Sequence, residues 1–432
     1  MSPVRVALCV QLALAFVTAA TPAEAQTTQP PRSPRGLFGR QDDQPKRPQT
    51  IDFTMSLSEG YDNTGNDQLI GGSLDGPYRQ AGLYSNLEAG LRYTRGRRER
   101  RLTMGAGSAV RYYAAPYRLV LPNYQGAVSF VSPLWRSGRL NVSQDFLYTP
   151  SYQLELFRAP APDATQMPGV AASDSANSKQ PAYTFAGAIQ FVQTVGARST
   201  LELAYDRRSV ILSGVAGDLT TQGGGLKFTH HFRRYAGFHA GIGSRVGAYT
   251  RPAGPDRLRT HDIDIGLDYD RPLSFSRRTT LSFSTGSSLV PQDGRTYYRV
   301  TGNASLAQQM GRTWTASVRY DRGLQFIEAL PRPFFSDAVA ARLKGYPSRR
   351  VDLQLSAAYS LGAIGVAGYG REVGTYTGTA TIGLSVNRHV ALFSDYLYYH
   401  YRLGQQTLTT AFPTRLDQQT ARVGLRLWVP FD

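Results

Sequence analysis

Cysteine is almost missing from this chain. The one thiol among 432 residues is Cys9, so no disulfide and no cysteine-ligated metal site can form within it. Charge is sparse too: Asp, Glu, Lys and Arg make up 18% of the residues, and the 31 acids are outnumbered by 48 Lys and Arg. No apolar run reaches the roughly 18 residues that a membrane-crossing helix needs. The six histidines, His230, His231, His239, His261, His389 and His400, include no H-E-x-x-H spacing. Capped helical stretches with a 3.6-residue period are absent, so glycine-rich pieces such as 223–225 precede no helix and are not phosphate loops. These absences argue against an enzyme: no catalytic residue, no metal and no cofactor is expected.

What is present begins with an export signal. Arg5 precedes an apolar run from Val6 to Val17, and Ala23-Glu24-Ala25 supplies small residues for cleavage near Ala25. Residues 1–25 therefore read as a signal peptide. Residues 26–50 are rich in Pro, Gln and Arg without periodicity and read as a disordered periplasmic tail.

From Ile51 to the end the pattern has period two. Ile51, Phe53, Met55 and Leu57 alternate with Asp52, Thr54, Ser56 and Ser58; Ile263, Ile265 and Leu267 alternate with Asp262, Asp264 and Asp268. Successive strand side chains point to opposite faces, so each segment has one apolar and one polar face. The segments are long enough to cross a bilayer at a tilt. Short basic connections such as 95–100, 232–234, 276–278 and 347–350 alternate with longer polar ones at 60–78, 150–180, 207–220, 322–334 and 402–416. The expected fold is all-β: a transmembrane antiparallel up-and-down barrel of sixteen to eighteen strands over residues 51–432, both termini in the periplasm.

The chain has 26 tyrosines, and they sort by strand end. Tyr61, Tyr112, Tyr113, Tyr183, Tyr249, Tyr298, Tyr399 and Tyr401 fall at long-loop ends; Tyr93, Tyr235, Tyr269, Trp135 and Trp314 fall at short-turn ends. Rings with a polar tip suit the boundary between hydrocarbon and headgroups, so two girdles are expected. The final stretch, "TARVGLRLWVPFD", puts Ala421, Val423, Leu425, Leu427, Val429 and Phe431 on one face and Arg422 and Arg426 on the other. A strand in lipid needs every backbone group paired, so this last strand should close on the first.

"LSEGYDNTGND" at 57–67 and "VGLRLWVPF" at 423–431 resemble a β-barrel porin family of Gram-negative outer membranes, often encoded beside exopolysaccharide genes. The resemblance implies a pore in the outer membrane, with membrane lipid and lipopolysaccharide around it and the barrel-assembly machinery reading its last strand. The expected function is passive diffusion of small hydrophilic solutes, anionic ones included. The alternatives are a conduit for exopolysaccharide export and a non-conducting structural or adhesive barrel.

Alternation also nominates the residues that line the pore. Arg299, Arg319 and Arg342 fall inward on three successive strands, the twelfth to fourteenth. Arg422 and Arg426 fall inward on the last, and Asp262, Asp264 and Asp268 on the tenth. Opposed charge across a water-filled pore would orient and sort ionic solutes; the same charges could simply pair with their neighbours. The formal charge of +17 does not imply nucleic acid, because the arginines are dispersed through turns and lack a stacking platform. The segment 151–180 opens with "SYQLELF", an apolar start that fits a loop folded into the barrel, and continues in Ala, Ser and Pro, which fits a mobile surface loop.

Overall fold

In the computed structural model, the described residues are 37–38, 49–64, 81–96, 100–114, 118–150, 181–212, 218–233, 235–251, 254–273, 276–292, 295–327, 330, 332–365, 373–403 and 415–431. Residues 1–25, expected as a signal peptide, nearly all of the expected tail 26–50 and the segment 151–180 lie outside them. Among these residues eighteen strands form one sheet: β1 (Gln49–Thr64), β2 (Ala81–Gly96), β3 (Arg101–Tyr113), β4 (Leu119–Trp135), β5 (Gly138–Thr149), β6 (Ala182–Thr194), β7 (Ser199–Leu212), β8 (Asp218–Arg233), β9 (Ala236–Arg251), β10 (Gly254–Leu273), β11 (Ser276–Gln292), β12 (Arg295–Met310), β13 (Trp314–Gln325), β14 (Phe334–Gly345), β15 (Val351–Ile364), β16 (Val373–Ser385), β17 (Val390–Leu403) and β18 (Arg415–Phe431).

Every strand pairs antiparallel with its sequence neighbours, and β18 pairs with β1 from Ile51 opposite Phe431 to Thr64 opposite Gln418. The sheet is thus a closed barrel with no free edge, as the alternating C-terminal strand requires. An even strand number brings the start of β1 and the end of β18 to the same rim, the one with the short turns. β1 starts at Gln49, slightly before the sequence boundary at Ile51, because Gln49 and Thr50 continue the ladder to Arg95 and Thr94.

Alternation holds around the wall. On β1, Met55, Leu57 and Tyr61 are exposed while Ser56, Ser58 and Asp62 are buried. On β18, Val423, Leu425, Leu427 and Phe431 are exposed outward. A soluble protein would bury such side chains; here they form the outer surface, a broad apolar band with aromatic rings packed against each other across strands. Phe146 lies 5.2 Å from Phe185, Tyr148 lies 4.9 Å from Tyr183, and Tyr269 lies 5.7 Å from Phe283.

The girdle expectation needs correction at several tyrosines. Tyr61, Tyr112, Tyr183 and Tyr298 are exposed on the outside, but Tyr113, Tyr249, Tyr399 and Tyr401 are buried inside. Adjacent strand residues cannot share a face, so of Tyr112 and Tyr113 only one can reach the outer boundary. The connections need correction as well. Residues 207–220 are mostly strand, since β7 runs to Leu212 and β8 starts at Asp218. Residues 322–334 are not an outward polar loop: β13 continues to Gln325, and Phe326, Ile327 and Leu330 are buried.

Candidate functional site: the inner wall of the barrel

The interior carries two charged sectors and one apolar strap. On β10, Asp262, Asp264 and Asp268 alternate with exposed Ile263, Ile265 and Leu267 and so face inward. β10 is nine strands from β1 around the ring, opposite the closure. Between Ile263 and Tyr269 the pairing with β11 shifts register. Such a bulge leaves extra residues on one strand and frees backbone groups on the other. His239 of β9 fills this place. It stands opposite Gly266 and is fully buried. Its Nε2 lies 3.0 Å from both Asp264 Oδ1 and the Thr285 carbonyl, and its Nδ1 lies 2.9 Å from Asp268 Oδ1. Gly266 is required beneath the ring, because a Cβ there would come within 2.8 Å of His239 Cε1 and 2.2 Å of Thr285 O. Lys227 Nζ reaches Asp264 at 3.5 Å, and Ser288 Oγ donates to Asp262. The acid sector is therefore partly neutralised by its own neighbours. Alternation places His239 inside, but its carboxylate partners become visible only through the β9–β10 register.

The basic sector spans β12–β14. Arg299 alternates with exposed Tyr298 and Val300, Arg319 stands opposite Ala340, and Arg342 stands opposite Ser317 and Ser356. Arg319 makes a bidentate contact with Asp321, at 2.6 and 2.8 Å. Both partners remain over 40% exposed, so solvent screens the pair. Arg342 and Lys344, one turn of the pleat apart on β14, are exposed and have no carboxylate partner among the described residues.

Arg422 and Arg426 do something different. Arg422 Nε donates to Asp395 Oδ2 of β17 at 2.9 Å, and Nη1 reaches across β1 to Glu88 Oε1 of β2 at 2.8 Å. Its side chain is only 13% exposed. Ser56 and Asn86 donate to the same Glu88 carboxylate, at 3.0 and 2.8 Å. Arg426 lies over the Phe393 ring, 4.7 Å from its centroid. Toward the long loops the lattice continues: buried Asp62 accepts from Tyr113, Gln418 and Thr420, and Arg111 lies 4.3 Å from the Tyr84 ring centroid. These groups tie β17, β18, β1, β2 and β3 together, so Arg422 fastens the seam where the barrel closes. Sequence reading found the two arginines and missed Glu88, Asp395 and Asp62.

The apolar strap comes from the β13–β14 connection. Phe326 packs with Leu219 of β8 and Tyr249 of β9, beside Leu258 of β10. It thereby crosses the interior face of β10, β11 and β12 at the long-loop end. Leu330 N donates to Ile327 O at 3.1 Å, and Gly365 N to Pro333 O at 2.7 Å, which hold the strap's base against the next loop.

No family model matches this chain, and no curated protein does. Solved structures do. OccAB4 of Acinetobacter baumannii is similar at 10% identity and a TM-score of 0.45, over 90% of this chain and 99% of that one. OccK2 (OpdF) of Pseudomonas aeruginosa in complex with glucuronate is similar at 9% identity and a TM-score of 0.43, over 91% and 100%. The siderophore receptor PirA of Pseudomonas aeruginosa is similar at 8% identity and a TM-score of 0.43, over 89% and 81%.

Proposed function

We propose that this chain is an outer-membrane channel for passive diffusion of small hydrophilic solutes, with a preference for anions. The observation that carries the reading is the two-sidedness of a closed wall: exposed Leu, Ile, Val and aromatic side chains outside, charged and hydroxyl side chains inside, on strand after strand. A ring of eighteen strands is wide enough to leave an aqueous passage. A closed barrel satisfies every backbone group without water, as hydrocarbon demands. The export signal read at residues 1–25 leads such a chain to the outer membrane of a Gram-negative cell, among lipid and lipopolysaccharide.

Selectivity follows from the balance of the two sectors. On the β10 side, Lys227 offsets Asp264 at 3.5 Å, and Arg245 pairs with Asp206 at 3.2 Å. On the β12–β14 side, Arg299, Arg319 and Arg342, joined by Lys344, outnumber Asp321. The net interior field is positive beside β14, which raises the local concentration of anions. Reversal potential across a bilayer under a salt gradient tests this. The wild-type channel should prefer chloride over potassium. Changing Arg299, Arg319 and Arg342 together to Gln should shift the potential toward cations, and high salt should shrink the difference through screening. A wild-type channel with cation preference overturns the anion reading.

A further inference from the structure

The short-turn rim is basic all the way round. Each of the eight connections there carries an exposed arginine in the turn or within three residues of it, from Arg100 before β3 to Arg388 before β17. No described turn residue on that rim is acidic. Between two of these turns, β6–β7 and β8–β9, the structure forms a half-open cavity of about 490 Å³. Arg198, His231 and Arg233 line it together with Thr194, Ser199 and Thr200. His231 N donates to the Arg198 carbonyl at 2.8 Å, which ties the end of β8 to the β6–β7 turn, the two places from which Arg233 and Arg198 reach the cavity lining. Ser199 Oγ is occupied by His230 Nδ1 at 2.8 Å. The hydroxyls of Thr194 and Thr200, directly paired across strands, are free to donate into the cavity. Arg198 and Arg233 have no carboxylate partner among the described residues.

A cavity walled by two planar guanidinium forks, an imidazole and hydroxyl donors, with no acid among its lining residues, matches a multi-oxygen anion. Guanidinium grips phosphate or carboxylate oxygens two at a time, and it adds geometric selection over a halide. Thr194 and Thr200 belong to the interior face of β6 and β7, so the cavity opens at the mouth of the barrel rather than onto its apolar outer surface. We propose that this cavity is a binding site for a dissolved phosphate-class oxyanion, such as inorganic phosphate or the phosphate group of a small solute. The site is separate from the β12–β14 arginines, and binding here requires no conduction.

Inorganic phosphate is the probe. The full chain is reconstituted in phosphatidylcholine nanodiscs, and phosphate binding is measured by calorimetry at constant ionic strength. Folding of each variant is checked by heat-modifiable gel mobility. Losing one charge-assisted contact weakens binding by about tenfold or more, so R198Q with R233Q should weaken phosphate at least that much. R136Q with R312Q, which removes the same charge from two other turns of the same rim, should leave the affinity unchanged. Equal weakening by both pairs would reduce the effect to the general charge of the rim and overturn the site, as would absence of binding to the wild type. A third arm uses phosphatidylglycerol nanodiscs: phosphate affinity should be retained there, and its loss would assign the cavity to a lipid headgroup instead of a dissolved anion.

Discussion

Phe326 lies directly on Gly247. A Cβ at Gly247 would stand 2.4 Å from Phe326 Cδ1, so the absence of a side chain on β9 makes the seat for a ring delivered from the far side of β12. This contact holds the β13–β14 connection against the inner wall at the long-loop end, where it must narrow the passage.

Two substitutions test that contact from its two sides. Phe326→Ala removes the ring, a change that costs about 3 kcal/mol when a buried Phe is lost. Gly247→Val fills its seat. Local segments open with far less than the global stability, so either change should release the strap without unfolding the barrel. Single-channel conductance should rise in both variants, and residues 326–333 should become sensitive to protease. Unchanged conductance in both would place the strap outside the conducting path.

The seam makes a second prediction. Arg422 is held by two carboxylates from two different strands, and its removal leaves both without their cation. Breaking a largely buried pair costs about 3 kcal/mol or more. Arg422→Met should therefore lower the denaturant midpoint of unfolding in detergent. Adding Glu88→Gln and Asp395→Asn to Arg422→Met should recover most of the loss, because the stranded charges go with it. If the three changes add up to a greater loss, the network is not a coupled unit.

Ile189 and Ala188 are neighbours on β6 with opposite surroundings. Ile189 is exposed on the outer face, and Ala188 stands on the inner face opposite Ser143 and Asp206. An arginine on the lipid face near mid-bilayer costs about 2–4 kcal/mol, whereas lumen positions tolerate one. Ile189→Arg should reduce folding stability in lipid vesicles by that order, and Ala188→Arg, next to Asp206, should leave it within a few tenths. Equal effects would mean that the outer band does not meet hydrocarbon.

Much of this was legible in period two. It placed Val423, Leu425 and Leu427 outward and closed the last strand on the first. It set Arg299, Arg319 and Arg342 on β12, β13 and β14 and the three aspartates on β10, the strands on which the fold carries them. What alternation lacks is register. That Arg422 meets Asp395 and Glu88, or that His239 sits between Asp264 and Asp268, depends on which residues stand opposite, and a one-residue slip would undo either. Tyr113 and Tyr249 misled because strand end was read without strand face. The strap had a signal that went unused: "LQFIEAL" at 324–330 is too apolar for a loop in water.

The central claim is that this wall encloses a water-filled passage through a membrane. Current through a planar lipid bilayer after addition of the purified, folded chain measures it most directly. The account predicts discrete, uniform steps that scale with salt concentration and grow when the strap is released by Phe326→Ala. Insertion of folded barrel into the bilayer without any current steps, in the wild type and in Phe326→Ala alike, would contradict it.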